Sequence, residues 1–229
     1  MKDKFGFETL ESMNQAVWYN QWVVSKFKKY LKGKILEVGC GIGNFTESIL
    51  PFGQVYALDI NDEYVTQTKK AVGDKALVGI GDIEKGEYFF KDVKFNSIIC
   101  LNVLEHIKDD KRALSNLYNL LENEGTLVLL VPAHQFMYGK IDEAIGHHRR
   151  YDKLGLADMA KKTGFKIVDI KGLNMLGAVG WIIASKLFKD TTVSDKKIKM
   201  FNLIAPFVLP LESLISIPFG TSLLLIAKK

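Results

Sequence analysis

The chain has 229 residues, 48% of them hydrophobic and 25% charged, with a formal net charge of +5. That apolar content excludes a disordered chain, and the length is that of one large domain. The positive charge is almost all lysine scattered along the chain, with Arg112, Arg149 and Arg150 as the arginines, which reads as a solvated surface and makes nucleic acid a disfavoured partner.

Residues 8–31 carry apolar and aromatic positions at helical spacing, among them Val17, Trp18, Trp22, Val24 and Phe27, and predict a helix. Residues 1–32 are therefore expected to form an N-terminal helical cap. The period then changes. A short apolar run at 34–38 predicts a strand, followed by Gly39-Cys40-Gly41-Ile42-Gly43 and a helix to about residue 50. Further strands are expected at 54–60, 76–80, 95–101, 125–131, 165–170 and 223–227. Helices are expected at 62–72, 108–121 and 153–163, the last with Asp152 as N-cap and Gly164 at its C-terminal end. This alternation predicts an α/β fold with a doubly wound, mostly parallel sheet, whose strands are near-continuous apolar runs because both faces are covered.

No internal repeat or low-complexity linker interrupts residues 1–229, so one domain is the expectation. Residues 174–219 are too long for a plain connection and read as an apolar helical insertion before the last strand. Two stretches, 173–188 and 200–219, approach the length of a membrane span. Lys186, Glu212, Pro206, Pro210 and Pro218 argue against one. The insertion is read as buried helices or a lid, with peripheral membrane contact or a homodimer surface as alternatives.

The informative residues sit at strand ends, where open α/β sheets bind ligands. Gly39, Gly41 and Gly43 follow the first strand, where glycine lets backbone approach a ligand. The spacing departs from the dinucleotide fingerprint GxGxxG, because the third glycine comes one residue early and Glu37 precedes the first by two. Asp59 ends the second strand, placed to accept both hydroxyls of a ribose, with Ile60 beside it to pack on an adenine. Asp82 ends the third strand, placed to accept from an adenine amino group, and is followed by Ile83.

With Leu101-Asn102-Val103-Leu104-Glu105-His106 after the fourth strand and Leu120–Gly125 leading into the fifth, the chain resembles a class I S-adenosylmethionine-dependent methyltransferase over roughly residues 30–172 plus the last strand. The resemblance implies a Rossmann-like seven-stranded sheet of order 3-2-1-4-5-7-6, the seventh strand antiparallel. It implies that the Gly39–Gly43 turn, Cys40 included, lies against the methionine part of S-adenosylmethionine and that Glu37 orients its amino group. Asp59 would hold the ribose, Ile60, Asp82 and Ile83 the adenine, and Leu101 and Asn102 would close the site.

Acceptor recognition must come from elsewhere. The position after the fourth strand lacks the proline-rich turn of amino-methylating enzymes, and no Pro-Cys occurs, so a small-molecule acceptor is expected. Gly146-His147-His148-Arg149-Arg150-Tyr151 concentrates two of the three arginines and two of the four histidines after the fifth strand. Arginine offers bidentate bonds to carboxylate or phosphate that lysine cannot copy. The segment resembles one found in methyltransferases linked with surface-polysaccharide or lipid pathways, which implies a lipid- or sugar-linked acceptor. His147 is the candidate base, and Arg149, Arg150 and Tyr151 complete the candidate catalytic set. His134, Tyr138, Asp142 and Glu143 lie nearby in sequence. Glu105-His106 falls where some O-methyltransferases carry a Glu-x-x-Glu-His metal segment. Asn102 stands in place of the first Glu, so the pair reads as a helix cap and no metal is expected.

Cys40 and Cys100 read as small buried residues rather than a redox pair, and the charged N-terminus shows no secretory leader pattern, so a reducing cytoplasm is the expected location, with membrane association left open. The expected activity is in-line methyl transfer from S-adenosylmethionine. The alternatives are an NAD(P)-dependent oxidoreductase, which the glycine spacing disfavours, and a non-catalytic cofactor-binding member of the same fold.

Overall fold

The computed structural model describes residues 7, 10, 11, 13, 14, 16–174, 205–207, 209, 210 and 220–229. Strands β1 (Lys34–Val38), β2 (Gln54–Asp59), β3 (Ala76–Asp82), β4 (Glu87–Tyr88), β5 (Phe95–Leu101), β6 (Leu121–Pro132), β7 (Lys166–Leu173) and β8 (Ser222–Lys228) form one sheet of order β4-β3-β2-β1-β5-β6-β8-β7. Neighbours from β3 to β6 are parallel, and β8 runs antiparallel between β6 and β7. The seven expected strands keep their expected order. The difference is β4, two residues that turn back at Gly86 and pair antiparallel with the end of β3.

Side chains alternate across the strands. Leu36, Val38, Ile98, Cys100, Leu127 and Leu129 point into one core layer, closed by α4 (Asp110–Leu120) and α6 (Lys153–Thr163) through Leu114, Leu117, Leu156 and Ala160. Ile35, Ile99, Val128, Leu130, Leu224 and Ile226 point to the other, closed by α1 (Val17–Ser25) through Trp22, Val23 and Val24 and by α2 (Thr46–Ile49) through Ile49. On β2, Val55 and Ala57 share that second face, and α3 (Asp62–Val72) covers Ala57 with Val65 and Val72. Ala205 and Leu209, from the expected insertion, are also buried in the second layer. The rest of that segment, and with it the choice among lid, dimer surface and membrane contact, lies outside the described residues. Among the described residues no helix is long and apolar enough to cross a membrane.

Two elements differ from the sequence expectation. The continuous helix expected over 8–31 is interrupted at Ala16 (φ −89°, ψ 47°) and at Phe27 (φ −132°), after which Lys28–Tyr30 forms a 3-10 turn. Phe27 is fully buried, and leaving helical geometry is what takes its ring into the core. Strand β6 begins at Leu121, opposite Phe95, rather than at 125. It bulges outward through the exposed 122–124 and resumes pairing at Thr126.

Helix α6 ends as its sequence dictates. The Asp152 carboxylate accepts from the Gly155 N–H at 2.8 Å, and Gly164 adopts φ 111° to return its N–H to the last turn. Asp152→Ala is expected to lower stability by about 1 kcal/mol, read as a lower urea midpoint at unchanged slope. An unchanged midpoint would show the cap to be dispensable.

Candidate active site

Strand order reverses between β1 and β5, so a crevice opens at their C-terminal ends. The turn after β1 forms its floor. Gly39 (φ 73°) and Gly41 (φ 54°) take left-handed backbone, and a Cβ on Gly39 would overlap Val103 from the loop after β5. The N–H groups of Gly39 and Cys40 donate to Leu58 O at 2.8 and 3.0 Å, and Gly41 N–H donates to Asp59 Oδ2 at 2.9 Å. The turn and the end of β2 are thus one hydrogen-bonded unit. The other Asp59 oxygen accepts from Asn61 N–H at 2.9 Å. Ile60 leaves its side chain 68% exposed beside it, an apolar face on offer at a strand end.

Glu37 is buried, with Oε2 accepting from the Thr46 hydroxyl at 2.6 Å. Burial pushes its carboxyl up to about 8, Asp59 adds to the rise, and the Thr46 bond opposes it. Asp82 differs. Its Oδ1 accepts from the N–H groups of Glu84 and Lys85 at 2.9 and 3.0 Å, and Oδ2 pairs with Lys85 Nζ at 3.1 Å. Desolvation works to raise this carboxyl, and the bonds from Lys85 and Glu84 outweigh it, so the group is held below its ordinary value. The Ile83 side chain packs into the core with Leu58 and Leu104, and Leu101 is buried in the opposite layer. Any contact of Ile83 with an adenine therefore runs through its backbone. Asn102 is exposed at φ 55°, a left-handed position that asparagine tolerates, and its N–H donates to Leu130 O at 2.8 Å. Cys40 and Cys100 are both free and buried in separate clusters, and burial raises both thiols.

The loop from Pro132 to Tyr151 folds over the neighbouring strand end. Its anchor is Asp142, fully buried on α5 (Lys140–Ala144). Asp142 Oδ1 meets His147 Nδ1 at 2.8 Å and Arg150 Nε at 2.9 Å, and Oδ2 accepts from Gly139 N–H at 3.0 Å. Desolvation opposes ionisation here, and the bonds from His147 and Arg150 prevail, holding the carboxyl below its ordinary value. An ionised carboxylate can only accept, so Nδ1 is the ring nitrogen that donates to it. Nε2 lies 3.7 Å from Glu105 Oε1. The His106 ring meets the His147 ring edge-on at 4.6 Å. Desolvation and the neighbouring His147 hold His106 down to about 4, and burial pushes Glu105 up to about 8.

The candidate catalytic residues thus separate. His147 lies in the corner with Glu105 and His106. Arg150 does not reach out to an acceptor: its side chain is 2% exposed, with Nε on Asp142 and Nη1 donating to Ala133 O at 3.3 Å. The Tyr151 hydroxyl is also turned inward, donating to Leu104 O at 3.2 Å and lying 3.1 Å from Asp110 Oδ2. Both side chains are held inward by these bonds. Arg149, 30% exposed, pairs with Asp110 at 2.7 Å and donates to Lys108 O. Sequence reasoning placed Asp142 only near the loop and gave Glu105 to a helix cap. The one local signal was the spacing from Asp142 to His147, which an intervening turn converts into contact.

Residues 36–129 match the model of a methyltransferase-domain family. A Methanocaldococcus jannaschii protein is 28% identical over 181 residues, 77% of this chain and 76% of that one. The Coxiella burnetii ubiquinone biosynthesis O-methyltransferase is 22% identical over 160 residues, 63% of this chain and 68% of the enzyme. An S-adenosylmethionine-dependent methyltransferase of Mesorhizobium loti shares the fold with a TM-score of 0.62 at 16% identity, over 87% of this chain and 93% of that one. The methyltransferase-domain match over residues 36–129, with the strand order, the glycine turn and the acid at the end of β2, supports a class I S-adenosylmethionine-dependent methyltransferase.

Two predictions follow from the geometry. Arg150→Met leaves Asp142 buried without its guanidinium and is expected to cost about 3–5 kcal/mol. Arg149→Met, at the rim, should cost less than about 1 kcal/mol. Urea denaturation of the two variants measures the contrast, and equal losses would contradict it. For Glu37 the folded value of about 8 exceeds the unfolded one near 4.5. Folded protein binds the extra proton between those values, so stability falls as pH rises from about 5 to about 8. Glu37→Gln should therefore gain stability relative to the parent at pH 9 compared with pH 5, and a difference independent of pH would refute the assignment.

Proposed function

We propose that the chain methylates an oxygen of a small-molecule acceptor, lipid- or sugar-linked, brought to the corner of Glu105, His106 and His147. The cofactor supplies a methyl group on a sulfonium, and the chain supplies position and a proton acceptor. In this reading the Gly39–Gly43 turn and Glu37 face the methionine part, and Asp59 holds the ribose hydroxyls. Ile60 covers the adenine, with Asp82 and the backbone of Ile83 at its edge and Asn102 beside the turn. The fit rests on a backbone floor without side chains, a buried carboxyl at Glu37 and an exposed apolar side chain beside Asp59.

The observation that carries the oxygen acceptor is the 2.8 Å contact between Asp142 and His147 Nδ1. In the neutral ring this contact selects the tautomer whose Nε2 can take a hydroxyl proton as the oxygen attacks, and Asp142 stabilises the imidazolium that results. Amines are methylated without such a base once deprotonated in solution. The Coxiella burnetii relative is by name an O-methyltransferase, which agrees with this choice.

Two variants test the reading through opposite readouts. Asp59→Ala should weaken S-adenosylhomocysteine binding by about 1.5–3 kcal/mol in calorimetry, because charged hydrogen bonds are lost. His147→Ala should leave that affinity intact and lower turnover by about 10²–10⁴. Turnover is read with isotopically labelled cofactor over lipid and sugar extracts. Wild-type turnover in His147→Ala removes it as the base, and unchanged affinity in Asp59→Ala removes the ribose assignment.

A further inference from the structure

Glu105 is fully buried, and neither of its carboxylate oxygens has a hydrogen-bond partner. Buried carboxylates do not normally stand unanswered. One ligand atom each from Glu105, His106 and His147 lies within 4.8 Å of the others. The His147 imidazole is held from behind, with Asp142 on Nδ1 at 2.8 Å and Nε2 turned toward Glu105. A carboxylate behind an imidazole is the arrangement that orients a metal-binding histidine and raises its basicity. Two buried carboxylates, Glu105 and Asp142, face one buried guanidinium, Arg150, which Asp142 already engages.

We infer that Glu105, His106 and His147 form a binding site for a divalent first-row transition-metal cation of the zinc or cobalt type. Two imidazoles and one carboxylate suit these ions better than Mg²⁺ or Ca²⁺, which favour all-oxygen shells. Three protein ligands leave positions open, and an acceptor oxygen is what would fill them. The inference rests on the reading that the acceptor comes to this corner, and it refines what His147 does there. In the loaded protein Nε2 holds the ion and the ion meets the acceptor oxygen. In the ion-free protein the same nitrogen is the proton acceptor. The sequence concealed the site because Glu105-His106 offers two ligands, and the third comes from the loop after the adjacent strand.

The test uses the full chain without a histidine tag, stripped of metal and titrated with Co²⁺. Uptake of one equivalent with visible ligand-field absorption is expected. Glu105→Gln and His147→Ala should each weaken uptake at least tenfold. His106→Ala should do the same while leaving Glu105 and His147 in place. His148→Ala, next in sequence and exposed, should bind Co²⁺ as the parent does. S-adenosylhomocysteine binding on the same samples reports that each variant is folded. No uptake by the parent up to about 100 μM Co²⁺ would overturn the site, as that leaves less than about 5.5 kcal/mol of binding. So would uptake that survives His106→Ala and is lost in His148→Ala. A failed cobalt titration is separable from a failed base assignment, because the second is read from turnover of His147→Ala in chelator-treated protein.

Discussion

Asp142 is a carboxylate taken wholly out of water, and the loop around it supplies what water would have supplied. Gly139 N–H, the His147 ring and the Arg150 guanidinium converge on its two oxygens. A lone buried charge costs several kcal/mol, so the loop has little freedom to adopt another arrangement. The ring position of His147, the inward turn of Arg150 and the closure of the loop all descend from that constraint. Arg150 N–H on Gln135 and Tyr151 N–H on Pro132 O then tie the loop's end back to its start.

The two ends of the crevice use buried carboxyls in opposite ways. Asp59 and Asp142 are surrounded by donors, and backbone N–H groups or cationic side chains stabilise their negative charge. Glu37 and Glu105 are buried with few donors or none, and burial raises both to about 8. The first kind holds backbone and side chains in place. The second kind is less completely answered within the protein, and a ligand group is proposed for each: an amino group beside Glu37, a cation beside Glu105. This division separates scaffold from site more sharply than exposure does.

Much of the framework was legible because its signals are local. Apolar runs report the strands, Asp152 and Gly164 report the ends of a helix, and the order of strands was what the resemblance carried by the strand-end motifs implied. The glycine turn and Asp59 were legible for the same reason, since a residue at a strand end is at the crevice whatever its neighbours do. The break of the first helix was not, because Phe27 leaves helical geometry to meet a core built from distant strands.

By itself, then, the sequence determined the strands and the glycine turn that follows the first of them, which depend on residues close along the chain. Only the tertiary structure brought Glu105, His106 and His147 together. Glu105 and His106 follow β5, His147 follows β6, and they meet because those strands are neighbours and Asp142 pulls the later loop inward. The same packing moved Arg150 and Tyr151 from presumed substrate contacts to internal struts, because a side chain's role is set by what surrounds it in space.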